Sequence, residues 1–465
     1  MIKPGTVLRR SHVEECRRSS DCTSYKGGSM KKTKIVLGIV AAAVMLSSCS
    51  KGNETGVTTQ TQTGTVVNET DTSQSVETEQ PGDDKNIRNM VPSLTDFVPD
   101  EMYAAADRWP SCDDTALAAV MKKAEAGEKV VVACIGGSIT QGTISNGSRD
   151  KDVAARKPYA DIFFEWWSDT FPDTEFEFIN AGIGGTDSYL GVHRVQKDVL
   201  DYEPDLVLVE FSVNDEDSLF YKKTYDNLVR KILKSDSDPA VMLLYMGQTN
   251  GATAQGNHVF VGFNYKLPML SYTSMINDMM SQGVYTAAEL SGDEVHPSAL
   301  GHAMTGEILW KYLNNVYENV DSFGETEKFD IAAVMKESYS DADIIDSSDA
   351  DVTDMGSFEK KRICTQFPYG WECTEGEGGL EIRAEFMNLG VLYFATIDGR
   401  SGQYDIYVDG EYAGTINADF SGGWGNAIKA NQVYTSDEPA EHTVTIKKSP
   451  DSTGDLFDLL GLLVS

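Results

Sequence analysis

Two short stretches carry side chains whose types and spacing suit nucleophilic catalysis. In residues 293–297 (DEVHP), Asp293 and His296 stand three residues apart, a spacing that lets one turn hold a carboxylate and an imidazole on the same side. In residues 129–140 (KVVVACIGGSIT), Ser138 follows an apolar run that Gly136 and Gly137 end abruptly. A serine hydroxyl is a poor nucleophile until a base within hydrogen-bond reach takes its proton, and imidazole is suited both to take that proton and to return it to a leaving alcohol. A carboxylate on the other side of the ring fixes its tautomer and stabilises the imidazolium. The plainer roles are local: Ser138 and Asp293 are each residue types that cap helices.

These side chains need a scaffold, and the apolar runs describe one. Residues 130–135 are unbroken and β-rich, the pattern of a strand buried on both faces of a parallel sheet. A serine at the end of such a strand lies at the carboxyl edge, where open α/β sheets bind ligands. Residues 205–211 (DLVLVEF) repeat the pattern, and SVND follows, placing Asn214 at the same edge; the bland alternative for Asn214 and Asp215 is a turn pair. Residues 180–188 (NAGIGGTDS) follow a short strand at 176–179 and set Gly182, Gly184 and Gly185 where backbone N–H groups can face a ligand. Helical patterns at 115–125, 159–170, 189–200, 225–233, 267–280 and 299–316 alternate with these strands and with another at 240–246. That alternation predicts a three-layer, doubly wound parallel sheet. Residues 247–266 read as a long polar loop leaving a strand end, a usual place for a substrate contact.

In this order the blocks resemble the SGNH hydrolases, the GDSL-type esterases, whose fold is flavodoxin-like. The resemblance spans Ser138 to His296 and implies a serine esterase in which Ser138 is the nucleophile, His296 the base and Asp293 its orienter. It also implies an oxyanion hole formed by Ser138, Gly185 and Asn214, with Gly185 chosen over Gly184 because GTDS fits the family pattern better. Two positions depart from that pattern: Gly137 replaces the aspartate of G-D-S, and Ser212 replaces the glycine of G-x-N-D. Neither removes a catalytic group, and the branch so marked looks like bacterial carbohydrate acetyl esterases. The resemblance therefore implies acetyl-ester hydrolysis on xylan- or mannan-type plant polysaccharide through an acyl-enzyme, with no cofactor and no metal. The rival readings are a lipase or thioesterase of the same fold, and a non-catalytic surface glycan-binding lipoprotein. Four substrate contacts are expected on context: His258 in the polar loop, Arg194 on the helix after the glycine block, and Trp371 and Trp424 in C-terminal turns. The plainer roles are a surface ion pair for Arg194 and a core position for either tryptophan.

The N-terminus reads differently. Residues 1–29 show no periodic apolar pattern and precede Met30, the expected true start. From Met30 come Lys31, Lys32 and Lys34, an apolar stretch at 35–46, and then LSSC ending at Cys49. That is a secretory signal at 30–48, its apolar stretch too short to span a bilayer. Its close resembles a bacterial lipobox, which makes Cys49 the expected lipidated N-terminus and the outer face of the cell membrane the expected location. Residues 49–92 are polar and lack the large apolar side chains a core requires, so a disordered tether is expected there. The net charge is −33, more negative still without the basic leader, which excludes nucleic acid as a partner and leaves the anchor as the sole membrane contact.

Residues 93–325 form the expected hydrolase domain and 326–342 a packed connector with Ile331, Val334, Met335 and Tyr339 at near-helical spacing. From 343 to 465 short alternating segments separated by Asp398-Gly399, Asp409-Gly410 and Gly422-Gly423 predict a β-sandwich. It resembles the galactose-binding-like modules of carbohydrate-active enzymes, and it is expected to dock near the Ser138 edge. Cys364 and Cys373 are a candidate disulfide pair.

Overall fold

A computed structural model describes residues 8–11, 97–109, 112–421 and 425–465. The leader beyond residues 8–11, the signal segment, Cys49, the tether and Trp424 lie outside the described residues. Among the described residues no helix is long and apolar enough to cross a membrane.

The first layer set is a parallel sheet with the spatial order β1-β3-β2-β4-β5-β6. Its strands are β1 (Leu8–Ser11), β2 (Val130–Gly136), β3 (Phe176–Gly182), β4 (Leu206–Glu210), β5 (Ala240–Tyr245) and β6 (Met269–Ser271). Every residue of β2, β4 and β5 is buried, as expected for strands covered on both faces. Alternate side chains of β2 enter different cores. Val130, Val132 and Cys134 pack with the helices Thr115–Glu125, Tyr159–Thr170 and Ala299–Glu318. Val131, Ala133 and Ile135 pack with Ser188–Asp198 and Leu219–Leu233 on the opposite face. The doubly wound sheet is thus present. Its edge strand β1 comes from the segment expected to lie upstream of the true start.

Three segments differ from expectation. Residues 247–266 contain a helix, Gln255–Tyr265, whose buried residues His258, Val261, Gly262 and Tyr265 follow helical spacing, while Phe260 and Phe263 are exposed on its outer side. Residues 267–280 begin with β6, and Ser271 then caps the Tyr272–Ser281 helix by accepting from the Ser274 N–H. The connector is not helical. Its backbone bonds to side chains instead, Met335 N–H to Asp226 and Tyr339 N–H to Asn227.

The C-terminal sandwich is built around two long strands, β11 (Leu380–Ala395) and β14 (Ala427–Lys448), paired antiparallel throughout. Register shifts near Phe386–Asn388 and Leu389–Gly390 bend them so that they serve both layers. The first half of β11 pairs with β8 (Asp351–Asp354), and the end of β14 pairs with β12 (Gln403–Val408), which carries β13 (Glu411–Asn417) on its other edge. The second half of β11 pairs with β15 (Phe457–Val464), which is flanked by β7 (Asp343–Ile345) and β10 (Gly370–Cys373), with β9 (Glu359–Lys361) beyond. The sandwich does not stand apart: Leu392, Ile428, Leu460 and Leu463 belong to the same core as the Ser188–Asp198 helix. At Gly390 a Cβ would come within 2.1 Å of the Tyr189 hydroxyl, so this glycine lets a tyrosine of the parallel-sheet domain seat directly against β11.

Candidate active site

The Ser138–Gln141 helix starts at the carboxyl end of β2, with Gly137, and not Ser138, in the capping position. The Ser138 Oγ lies 2.8 Å from His296 Nε2. On the far side of the ring, Nδ1 lies 2.9 Å from Asp293 Oδ2. Asp293 Oδ1 accepts the backbone N–H groups of His296 (2.7 Å) and Val295 (3.0 Å), so the three-residue spacing closes as one turn. Burial tends to raise the Asp293 carboxyl, but the hydrogen bonds from the His296 side chain and backbone and from Val295 hold it below the ordinary carboxylate range. An ionised Asp293 fixes the proton on Nδ1 and presents Nε2 as an acceptor to the serine.

Asn214 and Gly185 face the same space. Gly137 explains how Asn214 gets there: a Cβ at that position would lie 2.1 Å from Asn214 Oδ1, so the departure from G-D-S makes room for the amide. Oδ1 is buried and has no hydrogen-bond partner, which leaves the Nδ2 arm for the cleft. The Gly184 N–H donates to Gln141 Oε1 at 2.8 Å. The next residue, Gly185, has φ +72°, the left-handed region that favours glycine, and is exposed at the cleft. With Gly184 engaged elsewhere, Gly185 is the glycine placed to offer an N–H to a ligand.

The cleft above Ser138 has a volume of about 700 Å³. One wall is the sheet edge, with Gln141, Thr143, Ile183, Val295 and the residues above. The opposite wall is the sandwich, through Ile363 to Gln366, Phe394, Phe420 and the residues from Gly425 to Lys429. The Lys429 ammonium lies 4.9 Å from the centroid of the Phe420 ring. None of these sandwich residues was identified from sequence; the signal available was the turn at Gly422-Gly423 beside Phe420. A second cavity of about 620 Å³, lined by Arg230, Lys231, Lys234 and Glu337 among others, contains neither Ser138 nor a histidine.

Three expected substrate contacts are corrected. Arg194 is 1% exposed, and its guanidinium donates to the Gly136 and Ala181 carbonyls and pairs with Asp198, tying the ends of β2 and β3 together. His258 is buried in a helix, bonded to Asp215 at 2.9 Å and stacked on Tyr225 at 3.6 Å. Trp371 is fully buried in the sandwich core. Cys364 and Cys373 make separate contacts, with the Phe367 and Glu375 carbonyls, and form no disulfide with each other. Cys364 lies on the cleft wall.

A strand-end serine, an imidazole, a carboxylate and clustered amide donors are what acyl transfer requires. Residues 134–304 match the GDSL-like lipase/acylhydrolase family. No curated protein matches the chain. Two solved structures are similar over both domains, and both are of a two-domain esterase (CEX) active on acetylated mannans. One, co-crystallized with mannopentaose, is 30% identical, with a TM-score of 0.69, covering 78% of this chain and 97% of its own. The other is 31% identical, with a TM-score of 0.70, covering 78% and 98%. The chain therefore belongs to the GDSL-like lipase/acylhydrolase family, as an SGNH-type ester hydrolase carrying a C-terminal β-sandwich.

Proposed function

We propose that this enzyme removes acetyl groups from mannan- or xylan-type polysaccharide through an acyl-enzyme. His296 Nε2 takes the Ser138 proton as Oγ attacks the ester carbonyl, and the oxyanion is met by the N–H groups of Ser138 and Gly185 and the Asn214 amide. The C–O bond to the sugar breaks, and the imidazolium returns its proton to the sugar oxygen. Water, activated by the same imidazole, then releases acetate and restores Ser138.

One observation carries the sugar assignment: the wall facing Ser138 belongs to the sandwich, with Phe420, Phe394 and amide side chains at hand. An acetyl group offers little surface, so discrimination has to come from contacts to the sugar, and such remote contacts can lower the barrier at the ester. Similarity to the acetyl-mannan esterase supports the same reading. Acetate release from acetylated mannan, xylan and pectin tests it: release from the first two is expected, and activity confined to long-chain acyl esters would overturn it in favour of a lipase. The enzyme is further proposed to be exported and anchored through Cys49. Metabolic labelling with a fatty-acid analogue should tag the wild type and not Cys49→Ala; label persisting in the variant would refute the anchor.

A further inference from the structure

Glu210 is a fully buried carboxyl directly beneath the cleft edge, and acyl transfer gives it no role. It ends β4, four residues before Asn214. One oxygen, Oε2, is 3.4 Å from Thr140 Oγ1, on the helix that begins with Ser138. The other, Oε1, is 3.4 Å from Ser212 Oγ, and the carboxyl also accepts from the Val213 backbone N–H. Ser212 is the residue that replaces the family's glycine. Its hydroxyl hydrogen is committed to the Met246 carbonyl at 2.8 Å, so its lone pairs are what remain for Glu210. That contact is complete when Glu210 carries a proton and donates.

We propose that neutral Glu210 is a positioning residue, a hydrogen-bonded tie between the helix bearing Ser138 and the loop bearing Asn214 that holds nucleophile and oxyanion donor in register. The inference rests on the serine-esterase reading. Thr140 also bonds the Tyr159 hydroxyl at 2.7 Å, which anchors the tie to the next helix. The ionisable groups facing Glu210 are Asp215 from the same loop, Tyr159 from its helix and Tyr225 from the Leu219–Leu233 helix. Burial first, then the Asp215 charge, pushes Glu210 up to about 8. Ionisation above that pH would place a negative charge under the site where the oxyanion develops, opposing it.

The test is steady-state hydrolysis of a small synthetic acetyl ester by folded full-length variants. Glu210→Gln keeps a donor for Ser212 and an acceptor for Thr140, so it should retain most of kcat and lose the fall in rate that the wild type shows above about pH 8. Glu210→Leu breaks the tie and should lower kcat by about 10²-fold with KM unchanged, the scale expected for a small misplacement of reacting groups. Wild-type kcat in Glu210→Leu, or equal loss in Glu210→Gln and Glu210→Leu, would overturn the proposal. Should Glu210→Leu fail to fold, Ser212→Ala and Thr140→Val remove its partners one hydroxyl at a time; both are expected to lower kcat without moving KM, and unchanged kcat in the double variant would overturn it. Ser138→Ala separates the two levels of argument, since activity surviving there sinks the serine mechanism itself, whereas loss there with an unaffected Glu210→Leu sinks only the tie.

Discussion

Among the described residues, two of the His–Asp pairs have equal length and opposite fate. His296 Nδ1 meets Asp293 at 2.9 Å, and His258 Nε2 meets Asp215 at 2.9 Å. The difference lies on the other nitrogen. His296 Nε2 reaches Ser138 at the floor of a cleft, whereas His258 Nδ1 is buried with no partner, its ring lying flat on Tyr225. A carboxylate beside an imidazole is therefore not chemistry in itself; what the second nitrogen faces decides it. In the buried pair Asp215 also accepts the Ser188 N–H, so that the loop after β4 is fastened to the Ser188–Asp198 helix and to Gln255–Tyr265. One pair is placed to move a proton and the other joins three elements.

The largest expected effects break the active pair. Ser138→Ala and His296→Ala should each lower kcat by roughly 10⁴–10⁶-fold, since groups acting as a unit fail together, with the thermal midpoint nearly unchanged. Asp293→Ala should cost less than either, because the imidazole can still take the proton without its orienter. Stability moves with Asp293 in a definite direction as well. Its native carboxyl is lowered, so its contribution is full above the unfolded carboxylate value near 3.8 and is lost as pH falls through the native value. A midpoint difference between wild type and Asp293→Asn should shrink below about pH 4; a constant difference would mean that the hydrogen bonds from residues 295 and 296 do not favour the ionised form. Gly137→Ala comes next, at about 10²-fold in kcat, because its Cβ would displace the Asn214 amide.

The silent pair should give the inverse pattern. His258→Ala leaves Asp215 buried without that partner and empties a stacking site, so a destabilisation of about 3 kcal/mol is expected, with kcat per folded molecule close to wild type. Denaturant midpoints beside active-site titration measure the two separately. A catalytic loss at His258 without a stability loss would erase the distinction between the pairs.

The parallel sheet was legible because a strand buried on both faces writes an unbroken apolar run, and the four edge motifs were legible because each directly follows such a run or precedes the last helix. His258 was not, since its helix buries His258, Val261, Gly262 and Tyr265 and exposes Phe260 and Phe263, so apolar side chains mark neither face. Arg194 was misread for a related reason: its partners are the carbonyls of Gly136 and Ala181, and backbone acceptors leave no trace in side-chain patterning. The sandwich was legible as alternation and turns. Which of its loops meets Ser138 depends on docking through Tyr189, Gly390 and Ile428, contacts between positions some 200 residues apart in the chain.

The smallest expected effect concerns that docked wall. Deleting the sandwich is a poor probe, because Leu392, Ile428, Leu460 and Leu463 complete a core shared with the hydrolase helices, and their removal would expose it. Phe420→Ala is cleaner, since the side chain is only partly buried and lines the cleft beside Lys429. If the ring packs against the sugar, its loss should lower kcat/KM on acetylated oligosaccharides by about tenfold, the equivalent of roughly 1.4 kcal/mol and within the range for an aromatic contact with its partner lost. A small synthetic acetyl ester has no sugar to reach the wall, so its hydrolysis should be unchanged. Equal losses on both substrates would mean that Phe420 supports the shape of the site and not the recognition of its ligand. No loss on either would mean that the sandwich wall borders the cleft without contributing to binding there, and the source of sugar discrimination would then have to be the sheet edge itself, through Gln141 and Thr143.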